Sequence, residues 1–143
     1  MPTMRVQPSA IAAILGLPGI KTLLGLAEIC DHGLPVESLH RLARVMSRNE
    51  KDFLRTICSP STLRRRREQG KLTPVESDRA VRLASTWLIA RDTFGDAKKA
   101  QRFLHQEHAL LSGRRPFDLV RANGPGAEAV EQVLGRLRYG TAA

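Results

Sequence analysis

The segment Ser59 to Lys71, SPSTLRRRREQGK, gathers the side chains best suited to meet a polyanion. Four consecutive arginines, Arg64 to Arg67, and Lys71 are countered within the segment only by Glu68. Arginine carries planar, paired donors that match phosphate oxygens and the exposed edge of guanine. Ser59 before Pro60 is a helix start and Gly70 a helix stop, so the run reads as one short helix. Leu63 is its apolar anchor. At about 100° per residue, an inward Leu63 sets Ser61 and Arg65 nearly opposite, with Thr62 and Gln69 close by. Ser61 and Thr62 then stand at a helix N-terminus, where hydroxyls and free N–H groups suit phosphate or base edges. Arg65 is expected to pair with guanine and Gln69 with adenine, while Arg64 and Arg66 grip the backbone on the flanks. Arg67 falls closer to the inner side and is expected to snorkel or pair with an acid. A solvated basic face, or one shaped for an acidic protein, fits the same charges.

The elements that must position this helix are themselves helical, because 3–4 spacing of apolar residues dominates and strand alternation is weak. Asn49 caps a helix over residues 50–57 with Phe53, Leu54 and Ile57 inward, and a tight connection at Cys58 and Ser59 follows. Helix, tight turn, helix is the arrangement that braces a reading helix in the major groove. Upstream, residues 20–32 read as a helix with Leu23, Leu24 and Ala27 inward, stopped by Gly33. Residues 35–46 read as another, with Leu39, Leu42, Ala43 and Met46 inward. Downstream, Thr73, Pro74 and Glu76 form a capping box that opens a long helix to Phe94. Val81, Ala84, Leu88 and Arg91 line one face of it, with Ala80, Leu83 and Trp87 beside them. Asp96 caps a helix to His105, and residues 108–115 read as a loop. Pro116 starts a short turn, residues 123–126 (NGPG) read as a breaker, and a last helix runs from about Ala127 to Tyr139 with Val130, Val133, Leu134 and Leu137 inward. The fold class is all-α. Residues 1–19, with Pro2, Pro8, Pro18 and Gly19, read as a partly ordered arm.

Charge and composition narrow the function further. The 143 residues carry 23 Lys and Arg against 14 Asp and Glu, a net +9 that favours an anionic partner. A hydrophobic content of 42% is enough for a packed core. Cys30 and Cys58 lack CxxC partners, which speaks against a disulfide framework or structural zinc and for buried thiols in a reducing cytosol. The apolar run at residues 11–15 is too short for a signal core, and a spanning helix needs about 20 apolar residues. A cytoplasmic protein without a membrane partner is expected. His105, Glu107 and His108 have near-helical metal spacing but no third ligand set, so neither metal nor cofactor is expected. No GxSxG, Walker loop or GxGxxG is present, and an enzyme is not expected.

The C-terminal part carries a motif pattern of its own. It holds Phe94-Gly95, Ala100 to Leu104, Leu111, Gly113, Pro116, Asp118-Leu119, Gly126, Val130, Leu134, Arg136 and Tyr139-Gly140. This pattern resembles the toxin-binding domain of the Xre/MbcA/ParS family of type II antitoxins. Phe103 stands where that family often has Trp. The upstream stretch STLRRRREQGKLTPVESDRAVRLA resembles the Xre-like helix-turn-helix of the same family, so the resemblance spans roughly residues 34–140. It implies a helix-turn-helix domain over 20–90 and a toxin-binding domain over 91–143. It implies as partner a RES-domain toxin, a class that consumes NAD, whose active site the antitoxin blocks. It further implies repression of the operon's own promoter by binding operator DNA, as a homodimer within a larger complex. Arg136, Arg138, Tyr139 and Gly140, on the last helix before the tail 141–143, are the candidate toxin-binding residues; a cationic tip suits a pocket built for a phosphate-bearing dinucleotide. The alternatives are a one-component regulator whose C-terminal half dimerises, and an adaptor that localises a protein partner.

Overall fold

The computed structural model describes residues 6–140. Among them are nine α-helices and one 3-10 turn, with no strand beyond isolated bridges. α1 is Pro8–Leu15, α2 Leu23–His32, α3 Val36–Met46, α4 Glu50–Ile57, α5 Pro60–Gln69, α6 Pro74–Phe94, α7 Ala97–His105, α8 Pro116–Ala122 and α9 Gly124–Tyr139; the 3-10 turn is Ala109–Leu111. The all-α class read from helical spacing is what the chain adopts.

Local chemistry fixes most boundaries. The Asn49 side chain accepts from Asp52 N–H at 3.2 Å and starts α4. The Ser59 hydroxyl accepts from Thr62 N–H at 3.2 Å and starts α5, and Gly70 ends it at φ 82°. At α6 the capping box is complete: Thr73 Oγ1 accepts from Glu76 N–H while Glu76 Oε1 accepts from Thr73 N–H at 2.9 Å.

α6 is the spine. α1, α2 and α3 pack on it from the N-terminal side, and α7, α8 and α9 from the C-terminal side. One apolar core runs through both halves, from Leu15, Leu39 and Met46 to Phe117, Val130 and Leu134. Two linkers also pair: Leu72 N–H donates to Leu34 C=O at 2.8 Å, tying the α2–α3 junction to the α5–α6 junction. Gly33 makes this possible, since at φ +97° a Cβ there would stand 2.2 Å from Leu72 O.

Several expectations are corrected. Residues 8–15, read as part of a loose arm, form α1; Pro8 and the apolar run start it, and Ile11, Ala12 and Leu15 are buried. Residues 1–5 of that arm lie outside the described residues. Leu23 and Leu24 face solvent and Ala27 is exposed, with Leu26 inward instead, because that side of α2 packs against α6 and α1. The supposed breaker at 123–126 is the first turn of α9: Asn123 Oδ1 accepts from Gly126 N–H at 2.7 Å, and Pro125 suits a first turn that lacks N–H acceptors. On α6 the buried stripe includes Ala80, Leu83, Ala84 and Trp87, whereas Arg91 is exposed.

Candidate nucleic-acid interface and partner-binding tip

α5 is held to the core by Leu63 and braced through Cys58 by α4, whose Phe53, Leu54 and Ile57 are buried. Its solvent side presents Ser61, Arg64, Arg65 and Arg67. The Ser59 hydroxyl donates to Thr62 Oγ1 at 2.8 Å and lies 3.2 Å from Ser61 Oγ. The two hydroxyls of the first turn are thus set beside the helix N-terminus, where backbone N–H groups favour an anion. Arg64 and Arg65 are exposed as their proposed contacts require.

Two of the arginines exchange places relative to the expectation. Arg66, read as a flanking grip, turns inward and donates from Nε to Glu76 Oε1 at 2.7 Å; both side chains are largely covered, at 12% and 11% exposure. Arg67, read as the inward one, is exposed. Helical angles put both near the inner edge, but the acid sits in the first turn of α6, on the Arg66 side. Gln69 is exposed, yet its Oε1 accepts from Arg66 Nη1 at 3.3 Å, so a two-point pairing with adenine first requires that bond to open.

Glu76 therefore joins three structures: its own helix cap, α5 through Arg66, and Cys58, whose Sγ donates to Oε2 at 4.0 Å. The capping box was visible in the sequence; the partnership with Arg66, ten residues away on another helix, was not. Burial works to raise the Glu76 pKa, but bonds from the Arg66 guanidinium and from Thr73 outweigh it and hold the carboxyl below its ordinary value. A depressed acid contributes stability above its unfolded-state pKa and loses it as pH falls through the folded one. Glu76→Gln is expected to flatten the loss of denaturant stability between neutral pH and about pH 3 relative to wild type. An unchanged acid limb would show that Glu76 carries none of it.

Arginines also join the two halves, a role the charge pattern gave no sign of. Arg82 Nε donates to Val120 C=O at 2.7 Å and Arg121 Nη1 to Thr56 C=O at 3.0 Å. Each meets unsatisfied carbonyls at a helix C-terminus, where a cation is favoured. His105, which ends α7, is half-buried: it stacks on Phe117 with centroids 5.0 Å apart and meets Met46 O at 3.3 Å. Burial, with Arg115 adding, lowers its pKa against the pull of the Met46 carbonyl and Asp118. Among the described residues no cluster of three or more potential metal ligands occurs, and no helix is long and apolar enough to cross a membrane.

The end of α9 forms a second candidate surface. Arg136 and Tyr139 are exposed, Tyr139 at 51%. Arg138 is held by an ion pair with Asp92 of α6, and its guanidinium carbon lies 5.9 Å from the Tyr139 ring centre. Leu137, expected inward, is 48% exposed, because α9 has run past the packed core after Gly135. Gly140 ends the helix at φ 66°, and the tail 141–143 lies outside the described residues. The tip thus combines an aliphatic side chain, an aromatic ring and a cation at the surface, a mixture typical of protein interfaces.

Comparison with known proteins matches both halves. The antitoxin Xre-like helix-turn-helix domain matches residues 26–85, and the antitoxin Xre/MbcA/ParS C-terminal toxin-binding domain matches residues 90–140. An Antitoxin Xre from Yersinia enterocolitica is 30% identical over 142 residues, covering 97% of this chain and 95% of its own length. The α4–α5 brace and the α7–α9 unit each fall within the corresponding matched region, and the chain belongs to the Xre/MbcA/ParS family of antitoxins.

Proposed function

We propose that this antitoxin neutralises a RES-type, NAD-consuming toxin by covering its active site with the tip of α9, and represses its own promoter as a dimer through α5. The observation that carries the reading is the coupling, in one chain and one continuous core, of a matched helix-turn-helix and a matched toxin-binding domain. Arg64 and Arg65, exposed beside the hydroxyls of Ser61 and Thr62, are the DNA-reading candidates, with Arg67 added to them and Arg66 withdrawn to a bracing role. Arg136 and Tyr139 are the residues that enter the toxin, with Leu137 as apolar anchor. Arg138 orients the tip through Asp92, and Gly140 closes the helix. The protein acts as a binding partner and inhibitor rather than as an enzyme.

Coexpression tests both arms. The full chain is expected to rescue growth from a coexpressed RES toxin, and a chain ending at Val133 to fail. Arg65→Ala is expected to keep the rescue while weakening binding to a duplex selected from a random pool by about 2 kcal/mol, measured by gel shift at fixed salt. Full rescue by the truncated chain would remove the tip from the toxin interface. Wild-type affinity in Arg65→Ala would remove that residue from base reading.

A further inference from the structure

Between the two halves lies a cleft of about 480 Å³. Its N-terminal wall is the α3–α4 junction and the first turns of α4, with Arg48, Asn49 and Asp52. Its opposite wall is α7, with Lys98 and Arg102, four residues apart and so on one helical face. None of Arg48, Lys98 and Arg102 belongs to an ion pair among the described residues, where eight such pairs are formed. Asp52 is the only acid of the lining.

The neighbouring face of α7 holds the helix that carries Lys98 and Arg102 against the N-terminal half. Gln101 Nε2 donates to Val45 C=O at 2.9 Å and His105 meets Met46 O, so two side chains four residues apart clasp the C-terminal end of α3. Beneath them His105 stacks on Phe117, and Phe117 on Phe53 of α4 at 5.5 Å. α7 is thus clasped to the end of α3 that leads into the helix-turn-helix, and linked to α4 through Phe117 of α8, with Lys98 and Arg102 across the cleft from the first turns of α4. When a second helix of such a motif enters the major groove, the first crosses the sugar–phosphate backbone.

We infer that Lys98 and Arg102 of the toxin-binding domain, with Arg48, form a second DNA surface that grips backbone phosphates flanking the groove entered by α5. The inference rests on the proposed DNA binding by α5 and extends it to the other half of the chain. An uncompensated cationic wall on a rigid junction suits a phosphate backbone, which needs charge in place and no base-edge register. It also places a DNA contact on the half that engages the toxin, so a toxin covering α7 would compete with DNA.

The test is a salt series with the full-length protein, its Lys98→Ala/Arg102→Ala double variant and Arg65→Ala, on a pool-selected duplex and on a scrambled one. Removing two phosphate contacts is expected to make the slope of log affinity against log salt shallower by about 1.8 on both duplexes. The double variant should bind both several-fold more weakly at fixed salt, retain the wild-type melting temperature and still rescue growth from the toxin. Lys98→Arg/Arg102→Lys should restore the slope. A wild-type slope in the double variant, with Arg65→Ala still impaired, would overturn the inference and leave α5 as the DNA surface. So would loss of rescue with unchanged DNA binding, which would assign the wall to an acidic toxin face. Absence of salt-dependent binding by the wild-type chain would instead overturn the underlying reading.

Discussion

Phe117→Ala is expected to destabilise the protein by about 4 kcal/mol, a large part of the 5–15 kcal/mol that holds an ordinary domain together. Phe117 is 1% exposed and sits between Phe53 of α4 and His105 of α7. Truncation removes a ring from the place where the helix-turn-helix meets the toxin-binding unit, and the rigid helices around it collapse only partly into the void. Because one core runs through both halves, the loss should appear as a single lowered denaturant midpoint rather than as selective melting of one half. DNA binding and toxin rescue should fall together at temperatures where the wild type is folded. An unfolding free energy within about 1 kcal/mol of wild type would show that the junction relaxes to fill the space. Two separated transitions would show that the halves fold independently.

That single core explains which parts of the molecule were legible in the sequence. Caps and breakers act over three or four residues, so Asn49, Ser59, Gly70 and the Thr73–Glu76 box mark their helix boundaries by local chemistry alone. Inward faces were legible where 3–4 spacing is strict, as in α3 and α4, since both helices are amphipathic with one narrow apolar stripe. They were not legible where apolar residues crowd. In α2, Leu23, Leu24 and Leu26 compete for one inward direction, and packing against α6 and α1 decides in favour of Leu26. At the NGPG turn, breaker composition and helix-start composition coincide, and only the Asn123 cap distinguishes them.

The candidate site shows the same division. That α5 is basic and braced follows from sequence, because charge and helix-turn-helix spacing are local properties. Which arginine faces outward does not. Arg66 and Arg67 differ by one residue, and the choice is made by Glu76 on another helix. Likewise Arg82 and Arg121 are spent on carbonyls of distant helix ends, so part of the positive charge holds the fold together. Net charge pointed to an anionic partner, and only tertiary contacts reveal which cations are left to meet one.

Gly126→Ala is expected to cost about 3 kcal/mol, the reverse of what helix propensity alone gives. In an open helix the change would stabilise by up to about 1 kcal/mol, since glycine is the poorer helix former. Here a Cβ would stand 2.1 Å from Leu119 O and 2.8 Å from Leu119 C, backbone atoms of α8 that cannot rotate away. The glycine lets the first turn of α9 lie directly against α8, while Asn123 caps that turn through Gly126 N–H. To admit a methyl group, α9 must slide or tilt. Its far end carries Arg136, Leu137 and Tyr139, and a tilt at the first turn is magnified over the 16 residues of the helix. The variant should therefore lose toxin rescue more readily than DNA binding at temperatures where it remains folded, since α5 is braced by α4 and α6 rather than by α9. The nearby Gly124→Ala serves as the control, because a Cβ there meets nothing within 4 Å. It should retain wild-type stability and rescue. Equal melting temperatures for the two variants would show that α8 and α9 accommodate the methyl group by moving apart. Close backbone contact would then not be what aims the tip.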